Sequence, residues 1–407
     1  MYDSMGTTIQ PMVSLTTPKA KEQTRRKILL LGATGSIGQQ TIDVLKQHEQ
    51  DFELVGISAG HDLEGLKNIV KQFDTIQYVG CSNQEDGTLE GIPLFGGEQQ
   101  MVRLVQTCDY DLLVNAVVGF RGLEPTLRAI ELHHDVALAN KESLVCGGEL
   151  IREALSYSPS QIYPIDSEHS AIYQCLQGNR IEQVRHLYIT ASGGSLRDLT
   201  RDQLADITPA RALKHPSWNM GARITIDSST MVNKGFEVIE AHYLFDLPYE
   251  KIIPILHPQS IIHSMVEYED HAIIAQMGSA DMRLPIQYAL YSPERPVLKE
   301  DHPLDFSKMF SLDFKAMDYE RFKMLGVCIE AGKRKGNAGC VLNGADEQAV
   351  ELFLQEKISF LEIEEAILYA LKSVEWIEHP TFEQLRQTDW RARQAVIDFA
   401  HLHHANN

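Results

Sequence analysis

Between residues 27 and 142, short apolar runs alternate with segments whose apolar positions recur at i, i+3 and i+4. The runs at 27–31, 52–58, 112–115 and 135–139 predict strands, and 37–46, 63–73 and 123–131 predict amphipathic helices. That alternation predicts a parallel sheet with crossover helices, a doubly wound α/β domain over 27–160. From Ile162 the texture changes. β-rich stretches at 186–190, 224–226, 261–268 and 272–276 surround one strong helix at 231–245, predicting a central mixed α/β domain over 161–304. A proline-rich passage (Pro285, Pro293, Pro296, Pro303) and a linker over 305–318 follow. Residues 319–403 read as nearly all helix and define a C-terminal α-helical domain over 319–407. The polar stretch 1–26 reads as a flexible N-terminal arm, with no apolar core of the secretory kind, which points to a cytoplasmic protein.

Composition narrows the function classes. The 407 residues carry 37 Lys+Arg against 56 Asp+Glu, a net charge of −19, so a nucleic-acid or anionic-membrane partner is not expected. An anionic ligand must then meet a local positive site. The six cysteines are dispersed with no C-x-x-C pair, which argues against zinc ribbons and disulfide frameworks. No apolar run approaches the roughly 18 residues of a spanning helix.

The first predicted strand runs into GATGSIG (32–38) and then a helix. Glycines there allow a tight turn and close approach of a pyrophosphate to backbone N–H groups at a helix N-terminus, the arrangement of a Rossmann-like dinucleotide site. The second strand ends Ser58-Ala59-Gly60-His61-Asp62, with no acid at its tip for a ribose 2′-hydroxyl, which leans towards NADP. Asn140-Lys141-Glu142 falls at the carboxyl end of a parallel strand, where α/β sheets bind ligands.

A second constellation suits a metal and a phosphate. Asp166 and Glu168 close an apolar strand and, two apart, would project from one side of it if the strand continued. With a further acid they could hold a hard divalent cation; the plainer reading is a solvated helix start with Ser167 as N-cap. In DSSTMVNKGFEVIEA (227–241), Ser228 reads as an N-cap whose hydroxyl helps seat a phosphate, with Lys234 adding charge. Asn233, Glu237 and Glu240 share one helix face. Ser192, in ASGGS (191–195), could offer another hydroxyl, although a plain Gly-Gly turn is an equally good reading; His215 and Trp218 suit a lid within 212–222, the plainer reading being that Trp218 packs into a core.

Together GATGSIG (32–38), LANKESLV (138–145), PIDSEHSAI (164–172), ASGGS (191–195), HPSWNMG (215–221) and DSSTMVNKGFEVIEA (227–241) resemble the 1-deoxy-D-xylulose-5-phosphate reductoisomerase family. HPQSIIHSMVEY (257–268) and VLNGADEQAV (341–350) extend the resemblance, in order, to the C-terminal helices. The resemblance implies an NADPH-dependent oxidoreductase of non-mevalonate isoprenoid biosynthesis that needs Mn²⁺, Mg²⁺ or Co²⁺. Its reaction turns 1-deoxy-D-xylulose 5-phosphate into 2-C-methyl-D-erythritol 4-phosphate. It implies Asp166, Glu168 and Glu237 as metal ligands, and Lys141, Ser167, Ser192, His215, Trp218, Ser228, Asn233 and Lys234 around the phosphorylated sugar. Lys141, Asp166, Glu168, His215 and Glu237 form the implied catalytic set. Thr34, Gly35, Ser36, Ile37, Gly60, His61, Asn140, Glu142 and Gly221 match cofactor positions, and a homodimer is implied. The family usually places Lys or Arg, then Asn or Ser, after the glycine that ends the second strand; His61-Asp62 stands there instead and implies weaker discrimination against NADH.

Two other classes compete. Another NADP-dependent oxidoreductase could use the Tyr319-x-x-x-Lys323 spacing, far from the glycine loop, or a nucleophile at Cys146 or Cys175 with no evident activating histidine. A non-catalytic NADP-binding regulatory protein would keep the glycine loop without needing Asp166, Glu168, Glu237 and Lys141.

Overall fold

The computed structural model describes residues 11–13, 25–214, 221–299, 303–308 and 311–404. The first sheet comprises β1 (Arg26–Leu31), β2 (Phe52–Ala59), β3 (Tyr78–Cys81), β4 (Gly87–Leu89), β5 (Ile92–Gly96), β6 (Leu112–Asn115), β7 (Asp135–Leu138) and β8 (Ile162–Pro164). Their order is β4-β5-β3-β2-β1-β6-β7-β8, and all neighbours are parallel except the β4–β5 pair. Helices α1 (Ser36–Gln47), α2 (Leu63–Val70), α3 (Gln100–Thr107), α4 (Leu123–Glu131) and α5 (Lys141–Ser156) accompany it. A strand covered on both faces must be apolar throughout rather than alternating, as residues 28–31 and 112–114 are, fully buried. The strand order turns around between β1 and β6, which opens a crevice at their carboxyl ends.

The second sheet comprises β9 (Val184–Ala191), β10 (Ile252–Leu256), β11 (Ile262–Tyr268), β12 (Ile273–Met277) and β13 (Lys315–Ala316), ordered β12-β11-β9-β10-β13. With it come α6 (Ser167–Leu176), α7 (Pro209–Ala212), α8 (Ala222–Thr230), α9 (Val232–Phe245) and α10 (Arg283–Tyr291). Helices α11 (Lys323–Arg334), α12 (Ala338–Leu354), α13 (Phe360–Ser373) and α14 (Phe382–His404) complete the chain. Helix α9 is buried on nearly every side, packed among α5, α8, α11 and β10. No helix of the described residues is long and apolar enough to cross a membrane.

Several expectations change. Residues 224–226 are helical, inside α8, not a strand: the β-branched Ile-Thr-Ile run sits on a helix whose inner face is held by packing, which overrides local preference. Strand β8 belongs to the first sheet, beside β7, so that unit extends past residue 160. The presumed linker contributes β13, which pairs antiparallel with β10. Strands β3 to β5 are only three to five residues long, and each contains a glycine, so they do not stand out in the apolar pattern.

The arm is not free along its length. Met12 and Val13 are buried in the main core, and the Met12 amide donates to the Leu244 carbonyl at 3.1 Å, capping one of the last carbonyls of α9. Arg26 already belongs to β1. Full burial of a Met or Val side chain is worth about 1.5–3 kcal/mol. Replacing Met12 and Val13 together by Ser should therefore lower the melting temperature by several degrees. A thermal scan equal to that of wild type would show that the 11–13 contact contributes nothing.

Candidate active site

A cavity of about 510 Å³ opens where the crevice of the first sheet meets α6, α8, α9 and the second sheet. From the first unit it is lined by Ser36, Ile37, Gln40, Ala139 and Lys141, and from the start of α6 by Asp166, Ser167 and Glu168. Ser192, Gly221, Ser228, Asn233, Lys234 and Glu237 line it as well, so the two predicted constellations share one space.

The glycine loop does what its spacing predicts. Gly32 has φ +80°, and a Cβ on Gly38 would run into the backbone of Gly32 and Ala33, so α1 leaves β1 at closest approach. Gly35 is the N-cap of α1 without a side-chain cap, and no acid stands in the first turn. The first N–H groups of α1 are therefore available to an anion. Gly60 and His61 are exposed at the end of β2. Asp62 does not point at them: it is the N-cap of α2, its Oδ1 accepting from the Gly65 amide at 2.8 Å. Asn140 and Glu142 sit behind the cavity wall rather than in it. Asn140 is buried and donates to the carbonyls of Val117 (2.9 Å) and Gly119 (3.1 Å) and to Glu142 Oε2 (2.9 Å), shaping the turn after β6.

The carboxylate cluster is built differently from its sequence expectation. Strand β8 stops at Pro164, so Asp166 and Glu168 are not strand neighbours; Asp166 occupies the N-cap position of α6 and Glu168 its first turn. Ser167 is not the cap; its hydroxyl donates to Glu168 Oε2 at 2.6 Å. Asp166 and Glu168 nonetheless converge with Glu237 from α9, one oxygen of each lying within 4.8 Å of the others. An all-carboxylate oxygen set of this size fits a hard divalent cation. Asp166 forms a second group with His169 and Glu240, but His169 and Glu240 are sealed from solvent, so the Glu237 group is the one that opens on the cavity.

Two lysines thread the cluster. Lys141 Nζ lies 2.6 Å from Asp166 Oδ2, 3.1 Å from Glu237 Oε1 and 2.9 Å from Asn233 Oδ1. Lys234 Nζ lies 2.7 Å from Glu168 Oε1, donates to the Thr190 carbonyl at 2.5 Å and pairs with Glu237. Burial pulls both ammonium groups down, but their carboxylate neighbours hold them above the ordinary lysine value. Burial also pushes Asp166 up, and Lys141 with His169 more than reverses it, leaving that carboxyl well below its usual range. Burial and Glu168 keep Glu237 above its usual value despite the lysines. The three carboxyl groups face two ammonium groups, and His169, which burial pulls down but Glu240 and Asp166 raise to about 9, adds positive charge beside Asp166.

The phosphate-seat residues meet through a kink the sequence does not announce. Ser228 is not an N-cap; it lies in the last turn of α8, its hydroxyl donating to the Thr225 carbonyl at 2.8 Å. Met231, at φ +67°, separates α8 from α9, a left-handed conformation that disfavours a non-glycine residue. Met231 is buried against Ala191, Phe322 and Leu325, which offsets that strain. The resulting angle turns Ser228, Asn233 and Lys234 towards one cavity. Gly194 packs so closely on the backbone of Ser228 and Ser229 that a Cβ would collide, which brings Ser192 alongside. His215 and Trp218 lie outside the described residues.

Sequence reasoning missed Ser260, His263, residues 279–282, Ile224 and Met231 in the lining. The stretch 257–268 carried a signal for the first two; nothing local marks 279–282, which come from the chain after the edge strand. Of the competing sites, Tyr319 and Lys323 are not among the lining residues, and Cys146 and Cys175 are buried away from it.

The chain is similar to known proteins along most of its length. Residues 28–148 match the family profile described as 1-deoxy-D-xylulose 5-phosphate reductoisomerase, 162–245 match that of its C-terminal domain, and 277–395 match one described as DXP reductoisomerase C-terminal domain. Curated proteins of that name from Geobacillus sp. (strain WCH70) and Halalkalibacterium halodurans are 45% and 47% identical. In both cases the match spans 91% of this chain and 98% of the relative. The solved reductoisomerase from Zymomonas mobilis in complex with NADPH is similar at TM-score 0.84 and 36% identity, covering 93% of this chain and 99% of that one. A DOX-P reductoisomerase solved with NADPH, fosmidomycin and magnesium is similar at TM-score 0.87 and 33% identity, covering 93% and 98%.

Proposed function

The chain belongs to the 1-deoxy-D-xylulose 5-phosphate reductoisomerase family, and we propose that Asp166, Glu168 and Glu237 hold the divalent cation of that reaction while Ser192, Ser228, Asn233 and Lys234 seat the substrate's phosphate. It is an NADPH-dependent oxidoreductase that rearranges and reduces 1-deoxy-D-xylulose 5-phosphate to 2-C-methyl-D-erythritol 4-phosphate, in isoprenoid biosynthesis by the non-mevalonate route. The observation that carries the residue assignment is the meeting of three carboxylates, two lysines and the end of the glycine loop around one cavity.

When bound, the cation supplies Lewis-acid stabilisation of negative charge that develops on substrate oxygens. The chain's own residues do the rest. Lys141 and Lys234 offset the charge of the three carboxylates; a divalent cation held by those carboxylates would offset more of it and would leave the lysines to face a phosphate dianion. Lys234, Asn233 and the Ser192 and Ser228 hydroxyls then fix the phosphate, and fixing it orients the reacting carbons. Lys141 and Ser167 are assigned to the sugar's hydroxyl-bearing portion. His215 and Trp218 are assigned to the same substrate. Thr34, Gly35, Ser36 and Ile37 take the cofactor's pyrophosphate at the α1 N-terminus, with Gly60 and His61 at its adenosine end and Gly221 beside its other end. The Asp62 carboxylate is engaged with the α2 N-terminus, which supports a preference for NADPH despite the acid.

Manganese as the working metal, a cytoplasmic location and a homodimer complete the reading. Support for the dimer comes from β12, a five-residue edge strand whose Ile273 and Ile274 are 53% and 41% exposed, while the opposite edge, β13, has two residues. An apolar edge of that length is a template for pairing with a second copy. Replacing Ile273 and Ile274 together by Lys should convert a dimer to a monomer by light scattering; an unchanged mass would move the interface elsewhere.

The function itself is tested by NADPH oxidation with 1-deoxy-D-xylulose 5-phosphate, with Mn²⁺, with EDTA, and with NADH in place of NADPH. Metal-dependent oxidation favouring NADPH is expected. Folded protein that binds NADPH but oxidises none of it in any mixture would overturn the reading.

A further inference from the structure

Two residues beyond Gly221, in the first turn of α8, Arg223 is largely buried among acceptors from α5, α8 and α12. Its Nη1 lies 3.2 Å from Glu142 Oε1 and 3.3 Å from Glu347 Oε2. Its Nη2 lies 2.9 Å from Asn343 Oδ1 and 3.3 Å from Asp346 Oδ2, and Nε is 3.4 Å from Asp227 Oδ2. None of these residues lines the cavity. Glu142, however, holds the wall of the crevice: its Oε1 also accepts from the Gly119 amide at 3.2 Å, and its Oε2 from Asn140, whose amide ties down the Val117 and Gly119 carbonyls. Glu347 closes the same turn from the other side. A Cβ on Gly119 would meet its carboxylate at 2.7 Å, and Arg393 on α14 donates to it at 2.8 Å while gripping Asp389 at 2.8 Å.

We propose that Arg223 is a positioning residue for NADPH: its guanidinium holds Glu142, and through it Asn140 and the 117–119 turn after β6, in the shape that admits the cofactor, and ties that wall to the start of α8 and to α12 and α14. The donor geometry requires arginine. A planar fork reaches acceptors in several directions at once, whereas an ammonium group is a single point. The cluster is also rich in acid, with Glu142, Asp227, Asp346, Glu347 and Asp389 facing Arg223 and Arg393. Burial pushes Asp227 and Asp346 up, the latter to about 6, so outright deletion of the arginine would leave the acids uncompensated and endanger the fold.

The inference rests on reading Asn140 and Glu142 as cofactor-site residues, and the experiment separates the two. NADPH affinity is measured by cofactor fluorescence without substrate, Mn²⁺ affinity by calorimetry, and stability by thermal melting, for wild type, Arg223→Lys, Glu347→Gln and Glu142→Gln. Arg223→Lys should weaken NADPH binding about tenfold, equivalent to ~1.4 kcal/mol, and leave Mn²⁺ affinity unchanged. Glu347→Gln should weaken it in the same sense by less, and decides the matter if Arg223→Lys does not fold. Unchanged NADPH affinity in the folded variants, or equal losses of NADPH affinity, Mn²⁺ affinity and melting temperature, would overturn the proposal. If Glu142→Gln weakens NADPH binding while Arg223→Lys does not, only the role of Arg223 fails; if Glu142→Gln leaves it intact, the cofactor-site reading fails with it.

Discussion

Glu237→Gln is expected to remove most turnover together with most of the stabilisation that Mn²⁺ confers. The reason is the charge count in the cavity. Glu237 is 1% exposed, contacts both Lys141 and Lys234, and accepts from Asn233, so its carboxylate is shielded from water. Replacing it with the isosteric amide removes one carboxylate charge, and because Lys141 meets Oε1 and Lys234 meets Oε2, the single amide oxygen accepts from one ammonium while the amide NH₂ faces the other. A divalent cation would enter a site with one ligand charge fewer. Losing about 4 kcal/mol of charge stabilisation in the transition state corresponds to a kcat on the order of 10³-fold lower. Two readouts check this: kcat with saturating Mn²⁺, and the rise in melting temperature that Mn²⁺ produces. The variant should lose both. Full metal-dependent activity, or a wild-type Mn²⁺ shift, would reject Glu237 as a ligand.

What the sequence disclosed follows physical locality. The first sheet was readable because strands buried on both faces are continuous apolar runs: 112–115 coincides with β6 and 123–131 with α4. The glycine loop was readable because its chemistry lies within seven consecutive residues. The Asp166, Glu168 and Glu237 set was readable only as parts. Its geometry depends on α6 beginning at the end of β8 and on α9 entering from another layer, and neither shows in local pattern. The α8–α9 kink was illegible for a sharper reason. Met231 adopts φ +67° without a glycine to announce it, because three distant apolar residues bury its side chain. Reading 224–226 as a strand and Ser228 as a cap are both consequences of missing that kink. Arg223 went unremarked because its acceptors on α5 and α12 are some 80 and 120 residues away, and no spacing rule joins residues that far apart.

Lys234→Met should have the opposite effect to Glu237→Gln on the stability that Mn²⁺ confers, and this opposition is the sharper test of the charge argument. Lys234 is 4% exposed, and its ammonium faces Glu168, Glu237 and the Thr190 carbonyl. Removing it leaves Glu168 with no ammonium partner and Glu237 with Lys141 and Asn233 alone. Breaking a buried pair from one side costs about 3–5 kcal/mol, so the metal-free melting temperature should fall clearly. The same loss of positive charge favours a divalent cation. Mn²⁺ should therefore recover more stability in this variant than in wild type, since a ligand that binds only the folded state stabilises it in proportion to its affinity. Catalysis should still suffer, because the phosphate loses a charge-assisted hydrogen bond worth about 1.5–3 kcal/mol, which raises KM for the sugar phosphate roughly 10–100-fold. Thermal melting with and without Mn²⁺, alongside KM at saturating metal, decides between accounts. A metal-free melting temperature equal to that of wild type would show that Lys234 does not balance the carboxylates. An unchanged KM with kcat lost would place the phosphate elsewhere in the cavity and leave Lys234 acting on the cation site alone.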